Sequence, residues 1–511
     1  MAFAKIYSAQ AMLPEARLVS VEIDVSLGLH SFSIVGLPDK GIEESKDRAA
    51  AAIKNSGFKS PKQTNNRITI SLAPADMRKE GPVFDLPIAL AYLLAQGHAA
   101  FEPEGKLFAG ELALDGTIRP IRGALSLAKL ARKMGMEQLY VPEENAAEAA
   151  LIDGLSVFGA RSLREVVMHL SGEAPMSPAP PMRLPDRAIG RPSYAPDWSD
   201  IKGHAAAKRG LMIALAGGHN VALFGPPGTG KTMLARASRS ILPPLSFKEM
   251  LEALEIRSAY GPGREGLASE APFRSPHHTS SYSAIIGGGS PPRPGEVTLA
   301  HRGILFLDEF PEFDGRVTEA LRQPLEERTI SISRAGGTAI FPASFILIAA
   351  CNPCPCGNKG IEGKWCACSA KDLQRYRRKL SGPIADRIDM WIEMSRVEHA
   401  SLTSAGDRTE IEYASEAIAH ARASQKERFE ELGIEVCLNA HIPPQDMHRA
   451  TDLDTESEET LRAAATAYGI SGRRYHRIIK LARTIADMAG SGTIRPDHIL
   501  EALQYRQKDQ T

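Results

Sequence analysis

The chain lacks a long hydrophobic run, an excess of charge of either sign, and enough cysteine for a disulfide framework. Its longest apolar stretch, residues 86–95, is about half of what a bilayer-spanning helix needs, so no membrane segment is expected. The opening residues Met1-Ala2-Phe3-Ala4-Lys5 show no basic segment leading into an apolar one; no secretory signal is expected, and the expected compartment is the cytoplasm. Lys and Arg together number 61, as do Asp and Glu. Attraction to nucleic acid or to an anionic membrane therefore has to come from local patches rather than net charge. Six cysteines in 511 residues, four of them between Cys354 and Cys368, exclude a disulfide scaffold and point to metal before disulfide.

What the chain does have is length and alternation. At about 150 residues per domain it suffices for about three. Seven prolines fall in the 25 residues 173–197, with no apolar periodicity, which reads as a stiff extended linker. We place an α/β domain at 1–171, the linker at 172–198, a second α/β domain at 199–398 and a helical domain at 399–511. Period-two strand signals occur at 18–25 and 67–72 and a short strand at 138–142, between helical stretches at 41–55, 88–95 and 124–133. After residue 410 the strand signals stop, and 410–432, 456–468, 472–489 and 496–505 read as four helices, the last with Pro496 in its first turn.

The chemistry concentrates in the second domain. A buried strand, 220–224, runs into Gly225-Pro226-Pro227-Gly228-Thr229-Gly230-Lys231-Thr232 and then a helix, which is a phosphate-binding loop in its required strand–loop–helix setting. Backbone N–H groups would close around phosphates, Lys231 would reach the β- and γ-phosphates, and the Thr232 hydroxyl would ligate Mg²⁺. The bland alternative is a chance Gly-rich turn. The apolar run 303–307 ends in Asp308 and Glu309, placed to hold the Mg²⁺ shell and to activate an attacking water; otherwise they cap a solvated strand end. A third run, 345–351, ends at Asn352, a turn former by itself but a γ-phosphate sensor candidate beside the other two strand ends.

Together with Pro272-Phe273-Arg274-Ser275-Pro276-His277-His278-Thr279, Pro292-Arg293-Pro294-Gly295-Glu296, Asn352-Pro353-Cys354-Pro355-Cys356-Gly357 and the segment 380–389, these strings resemble the AAA+ ATPases, their magnesium-chelatase-like branch, and within it the ComM/YifB family. The resemblance implies ATP and Mg²⁺ as cofactors, a homo-hexameric ring with nucleotide between neighbours, Arg387 as an arginine finger supplied in trans, and Arg473 as the sensor-2 arginine of a helical lid. Arg387 could instead form a surface salt bridge with Asp386 or Asp389, and Arg474 is the position most easily confused with Arg473. The resemblance further implies action on branched or single-stranded DNA, as a branch-migration helicase of recombination and natural transformation (competence), with recombination proteins as partners. The alternative is a chelatase-type motor driving metal insertion or remodelling a protein partner. Against it, the chain carries no D-x-S-x-S metal motif, and ordinary chelatase motors lack the N-terminal domain.

Through Lys79-Glu80-Gly81-Pro82, residues 85–90 and residues 110–116, the N-terminal domain resembles the Lon-protease (ribosomal S5 domain 2-like) fold. Val83 stands where the protease has its nucleophilic serine, and Leu125 or its neighbours where it has its lysine, so a non-proteolytic scaffold for ring assembly or DNA contact is expected. Cys354, Cys356, Cys366 and Cys368 are a candidate structural Zn²⁺ site, against unligated thiols. His277 and His278 find no further ligand nearby and read as a structural loop or a contact to the translocated polymer. Residues 328–341 read as a β-hairpin with Arg334 at its tip, suited to a phosphate backbone. Arg375, Arg377, Arg378 and Lys379, interleaved with Tyr376, are either a basic patch or a solvated face.

Overall fold

A computed structural model describes residues 2–12, 15–182, 196–260, 270–289, 292–334, 337–359, 363–380, 384–396 and 409–507. Most of the Pro-rich stretch, 183–195, lies outside the described residues. The chain divides into two compact units, Met1–Pro185 with Leu251–Ala268, and Asp186–Met250 with Ser269–Thr511.

The first unit is built on a seven-stranded mixed sheet. Its strands are β1 (Ala2–Gln10), β2 (Arg17–Leu27), β3 (Ser31–Val35), β4 (Asn66–Ala73), β5 (Lys106–Phe108), β6 (Gln138–Pro142) and β7 (Ser156–Ala160), in the order β3-β4-β2-β1-β5-β6-β7. β1 and β2 are antiparallel with Ile6 opposite Val21, whereas β5, β6 and β7 run parallel. Val19, Val21, Ile23 and Val25 are buried and alternate with more exposed neighbours, so β2 turns one face to the core. Helix α1 (Lys40–Asn55) begins at Asp39, whose carboxylate accepts the Ile42 N–H at 2.8 Å. Helix α2 (Asp85–Ala95) is apolar all round and almost wholly buried. Its first residue, Asp85, accepts from Arg48 Nε at 2.6 Å and Nη2 at 3.0 Å, and from the Leu112 N–H at 3.2 Å. The motif at 85–90 is thus a buried ion pair followed by a core helix. Helices α3 (Ala124–Lys133), α4 (Glu143–Ala149) and α5 (Leu163–Leu170) follow. Residues 251–260 of the helix Phe247–Tyr260 join this unit, where Lys129 Nζ meets Glu255 at 2.9 Å and the Gly123 N–H donates to the Ser258 carbonyl.

The second unit holds a five-stranded, wholly parallel sheet. Its strands are β8 (Val221–Phe224), β9 (Phe273–Arg274), β10 (Ile304–Leu307), β13 (Ile346–Cys351) and β14 (Met390–Glu393), with the hairpin β11 (Thr329–Arg334) and β12 (Gly337–Pro342) lying outside it. The order β9-β10-β13-β8-β14 puts Leu307 and Ala222 on either side of Ala349. β10 and β13 are buried throughout, as continuous apolar runs in a parallel sheet should be. Helices α6 (Ala205–Gly217) and α7 (Lys231–Ala237) flank β8 in sequence, and α8 (Ala370–Leu380) follows β13. The helical region consists mainly of α9 (Thr409–Leu432), α10 (Thr455–Tyr468), α11 (Gly472–Met488) and α12 (Pro496–Gln504). It is tied to the sheet through a buried contact of Thr484 Oγ1 with His219 Nε2 at 2.8 Å. Among the described residues no helix is long and apolar enough to cross a membrane.

Candidate nucleotide site

Because β10, β13 and β8 are neighbours running the same way, the loops after them emerge side by side, about 5 Å apart, at the carboxyl edge of the sheet. Gly225–Thr232 follows β8, Asp308 and Glu309 follow β10, and Asn352 follows β13. Lys231 Nζ donates to the carbonyls of Gly225 at 2.7 Å and Pro226 at 2.8 Å and to Asn352 Oδ1 at 3.2 Å, and burial draws its ammonium below the usual lysine value. The Thr232 hydroxyl donates to Asp308 Oδ2 at 2.7 Å. That hydroxyl–carboxylate pair has the oxygen chemistry of an Mg²⁺ site. Gly228 and Gly230 have φ of +81° and +82°, and an ideal Cβ on either would meet no atom within 4 Å. The loop therefore takes the left-handed backbone that a phosphate cradle needs, around open space, and its residues fit ATP with Mg²⁺.

Glu309 is half exposed and has φ of +50°, uncommon for a residue with a side chain. Its N–H donates to Asp308 Oδ1 at 2.9 Å, and its Oε2 lies 3.3 Å from His278 Nδ1. The sequence marks His278 only as a loop residue or polymer contact; the structure sets it against the candidate base. The pairing joins the loop after β9 to the end of β10, and adjacency of those two strands was the missing information.

The two arginines lie elsewhere. Arg387 ends a 3₁₀ turn, Ala385–Arg387, just before β14, and its carbonyl accepts from Asn220 Nδ2 at 3.2 Å. Asn220 immediately precedes β8, so Arg387 is at the amino edge of the parallel sheet, and the four residues of β8 separate the two edges by about 13 Å. Arg387 is 7% exposed and meets Glu326 at 2.6 Å. The expected alternative pairing with Asp386 or Asp389 is not what forms. Asp386 faces Arg474 at 3.5 Å, and Asp389 accepts the Asn220 N–H at 2.9 Å and lies 3.4 Å from Arg477. Arg473 Nη1 is 3.9 Å from the same Glu326 oxygen that Arg387 approaches. Both arginines line one cavity of about 600 Å³, where Arg328, Arg477 and Lys480 face the carboxylates of Glu326, Asp389 and Glu435. Burial lowers the Lys480 ammonium to about 8.

The four cysteines of the Cys-rich loop converge. Their sulfurs lie within 4.8 Å of one another, with Cys354–Cys356 at 3.4 Å and Cys366 at 3.7 Å from both. A tetrahedron with Zn–S bonds of about 2.3 Å has edges of about 3.8 Å. The tight Cys-x-Cys spacing is thus compatible with one centre, because Gly357 at φ +76° and Gly363 at φ +75° fold the loop back. The Lys359 N–H donates to Cys354 Sγ at 3.3 Å, and the Asn358 N–H draws the Cys356 thiol below its ordinary value. The residues suit a soft divalent ion.

In the basic run, Tyr376 is buried with its hydroxyl donating to the Asn352 carbonyl at 3.1 Å, while Arg375, Arg378 and Lys379 are exposed on α8. The hairpin forms with Arg334 opposite Gly337; Ala335, Gly336 and the Arg334 side chain lie outside the described residues. In the first unit Leu125 is buried and Val83 lies in a short turn. Neither side chain has a nucleophilic or basic group, so these two positions hold no Ser–Lys pair.

Comparison with known proteins gives three family matches along the chain. The family described as "Magnesium chelatase, subunit ChlI" matches residues 197–402, "Subunit ChlI of Mg-chelatase" matches 21–145, and "Magnesium chelatase, subunit ChlI C-terminal" matches 409–506. Since the second match falls on the N-terminal region, that region does not by itself separate this chain from chelatase motors. The chain is 40% identical to Competence protein ComM of Haemophilus influenzae, over 99% of this chain and 98% of that protein. It is 38% identical to protein YifB of Escherichia coli, over 100% and 98%. A more distant match, 24% identical over 60% of this chain and 36% of the other, is the maternal DNA replication licensing factor mcm6 of Xenopus tropicalis.

Proposed function

The chain belongs to the ComM/YifB family of magnesium-chelatase-like AAA+ ATPases, and from that premise we propose that it is an ATP-hydrolysing ring motor acting on DNA, a branch-migration helicase of recombination and natural transformation. The observation that carries the ring is the division of the site between two edges. Lys231, Thr232, Asp308, Glu309 and Asn352 stand at the carboxyl edge, Arg387 and Arg473 at the amino edge. Arginines at the opposite sheet edge from their own phosphate loop are suited to a neighbour's nucleotide, and head-to-tail repetition of such a contact closes a ring, here a homo-hexamer.

Bound ATP with Mg²⁺ supplies the γ-phosphoryl group that water attacks. Lys231 and the loop N–H groups hold the phosphates, Thr232 and Asp308 hold the metal, Glu309 takes the proton of the attacking water, and Asn352 fixes its position. Arg387 and Arg473 of the next subunit stabilise charge on the transferred group. A structural Zn²⁺ on Cys354, Cys356, Cys366 and Cys368 belongs to the same reading. Action on DNA is supported by the competence relative and by the distant match to a DNA replication factor, together with the hairpin Thr329–Pro342 and the exposed Arg375 and Arg378. The N-terminal unit serves as a non-proteolytic scaffold.

A second reading, a chelatase-type motor driving metal insertion or remodelling a protein partner, is favoured by the descriptions of the three family matches. ATPase rate with and without branched DNA separates the two. Stimulation by junctions over duplex supports the DNA motor; indifference to every DNA form would exclude it.

A further inference from the structure

We infer that metal occupancy of the Cys-rich loop controls the phosphate-binding loop, so that Zn²⁺ acts as a switch on nucleotide binding. The inference rests on the zinc reading above but concerns what the metal does. Two contacts join the cysteine cluster to the nucleotide site, both within three residues of Cys354. On one side, the backbone of Gly357 lies against the ring of Pro227, in the middle of the phosphate loop, so closely that an ideal Cβ on Gly357 would sit 2.7 Å from Pro227 Cδ and Cγ. On the other, Asn352, two residues before Cys354, takes the Lys231 ammonium on Oδ1 at 3.2 Å and the Tyr376 hydroxyl on its carbonyl at 3.1 Å.

Cys354 is fully buried between these two contacts, whereas Cys356 is exposed and Cys366 and Cys368 are half-buried, arriving from the far side of a loop with Gly357 and Gly363 in the left-handed region. No disulfide joins the four. Among the described residues the loop's two halves meet through the hydrogen bond of Asn358 Nδ2 to the Trp365 carbonyl, the Cys356 N–H beside the Cys368 thiol, and the thiol–thiol contacts of Cys366 with Cys354 and Cys356. The Trp365 side chain is 87% exposed. A bound metal supplies that closure. With the halves clamped, Gly357 is held against Pro227 and the strand end at Asn352 is fixed; with the metal gone, both props on the phosphate loop loosen.

The test uses the full-length chain, its zinc content measured by elemental analysis, and a fluorescent ATP analogue titrated in excess Mg²⁺ without DNA. Removing zinc with a zinc-selective chelator should raise the dissociation constant at least fivefold, and adding Zn²⁺ back should restore it. Gly357→Ala separates metal from coupling. Its Cβ collides with Pro227 and its backbone at φ +76° is strained, so its zinc content is measured first; at one zinc per chain it should bind nucleotide at least fivefold more weakly. Purified protein with far less than one zinc per chain overturns the site itself. Zinc-free protein that binds nucleotide as the loaded form does, or Gly357→Ala with full zinc and unchanged affinity, overturns the coupling while leaving the zinc and ATPase readings intact. If stripping unfolds the chain, Gly357→Ala alone decides.

Discussion

His278 Nδ1 and Glu309 Oε2 lie 3.3 Å apart, joining the loop after β9 to the end of β10. Glu309 holds a left-handed backbone at φ +50°, a conformation that costs about 1–3 kcal/mol and persists only where neighbours fix it. His278 is one of those neighbours, set in turn against His277 with ring centroids 4.2 Å apart and planes tilted by 33°. We expect His278→Ala to slow ATP hydrolysis by roughly 10- to 100-fold, through misplacement of the base, with nucleotide affinity unchanged. His278→Asn, which retains a donor, should recover part of the rate. Steady-state kinetics with a binding titration checks this; an unaltered turnover number for His278→Ala would reduce His278 to a packing residue.

Glu309→Gln tests the proposed base itself. Lys231, Thr232 and Asp308 remain, so nucleotide and Mg²⁺ should bind as before, while turnover falls by roughly 10²-fold or more. Near wild-type hydrolysis would assign the base elsewhere.

These candidate positions are legible in the sequence because they sit at the ends of continuous apolar runs, and runs such as 303–307 and 345–351 announce buried parallel strands. Helices with a strong period or an apolar surround were equally plain, as 88–95 and 472–489 show. What the sequence does not display is whatever depends on a distant partner. β1 is the central strand of its seven-stranded sheet, yet its Ala4, Ser8 and Ala9 are too small to show a hydrophobic alternation. The packing of residues 251–260 with the first unit, the approach of His278 to Glu309, and the choice of Glu326 over Asp386 by Arg387 all join segments that nothing local connects.

Asp85 gives the first unit a stability test. It is fully buried and held by two hydrogen bonds from Arg48, yet burial outweighs the pairing and raises its carboxyl above the usual value. Removing one member of a buried pair strands the other. Asp85→Ala should therefore destabilise the first unit by about 3 kcal/mol, seen as a lower unfolding midpoint. A loss below about 1 kcal/mol would mean that Arg48, itself partly exposed, simply turns to solvent.

His219 predicts a pH dependence. Burial lowers its imidazole from 6.5 to about 4, against the opposing pull of Asp389 4.0 Å away. The unfolded chain takes up a proton below about 6.5 that the folded chain refuses until about 4. This contribution to stability is present above 6.5 and is lost as pH falls through that window, by up to about 3 kcal/mol. The drop in denaturant midpoint between about pH 7 and pH 5 should be smaller in His219→Gln than in the parent chain. An equal drop in both would show that other buried histidines carry the effect.

Arg387 tests the ring. It stands at the amino edge of the sheet, paired with Glu326 and far from its own Lys231. If it serves a neighbour's nucleotide, Arg387→Ala should bind ATP nearly as well as the parent, because the phosphate loop of the same chain is untouched. Hydrolysis should fall by roughly 10³-fold, since the transferred group loses its cation. Lys231→Ala should fail for the opposite reason, with an intact Arg387 and a crippled loop. Mixing the two inactive proteins then creates interfaces at which an intact loop meets an intact arginine, about one in four for random neighbours in a ring. ATPase activity should reappear on mixing and follow the ratio of the two variants, with a maximum near equal amounts. An arginine acting within its own chain allows no such rescue, and a plain structural ion pair with Glu326 would change stability and leave the hydrolysis rate of the folded protein alone. Activity that stays absent in demonstrably mixed rings would end the in-trans assignment, and Arg473, beside the same Glu326, would be the residue to test next.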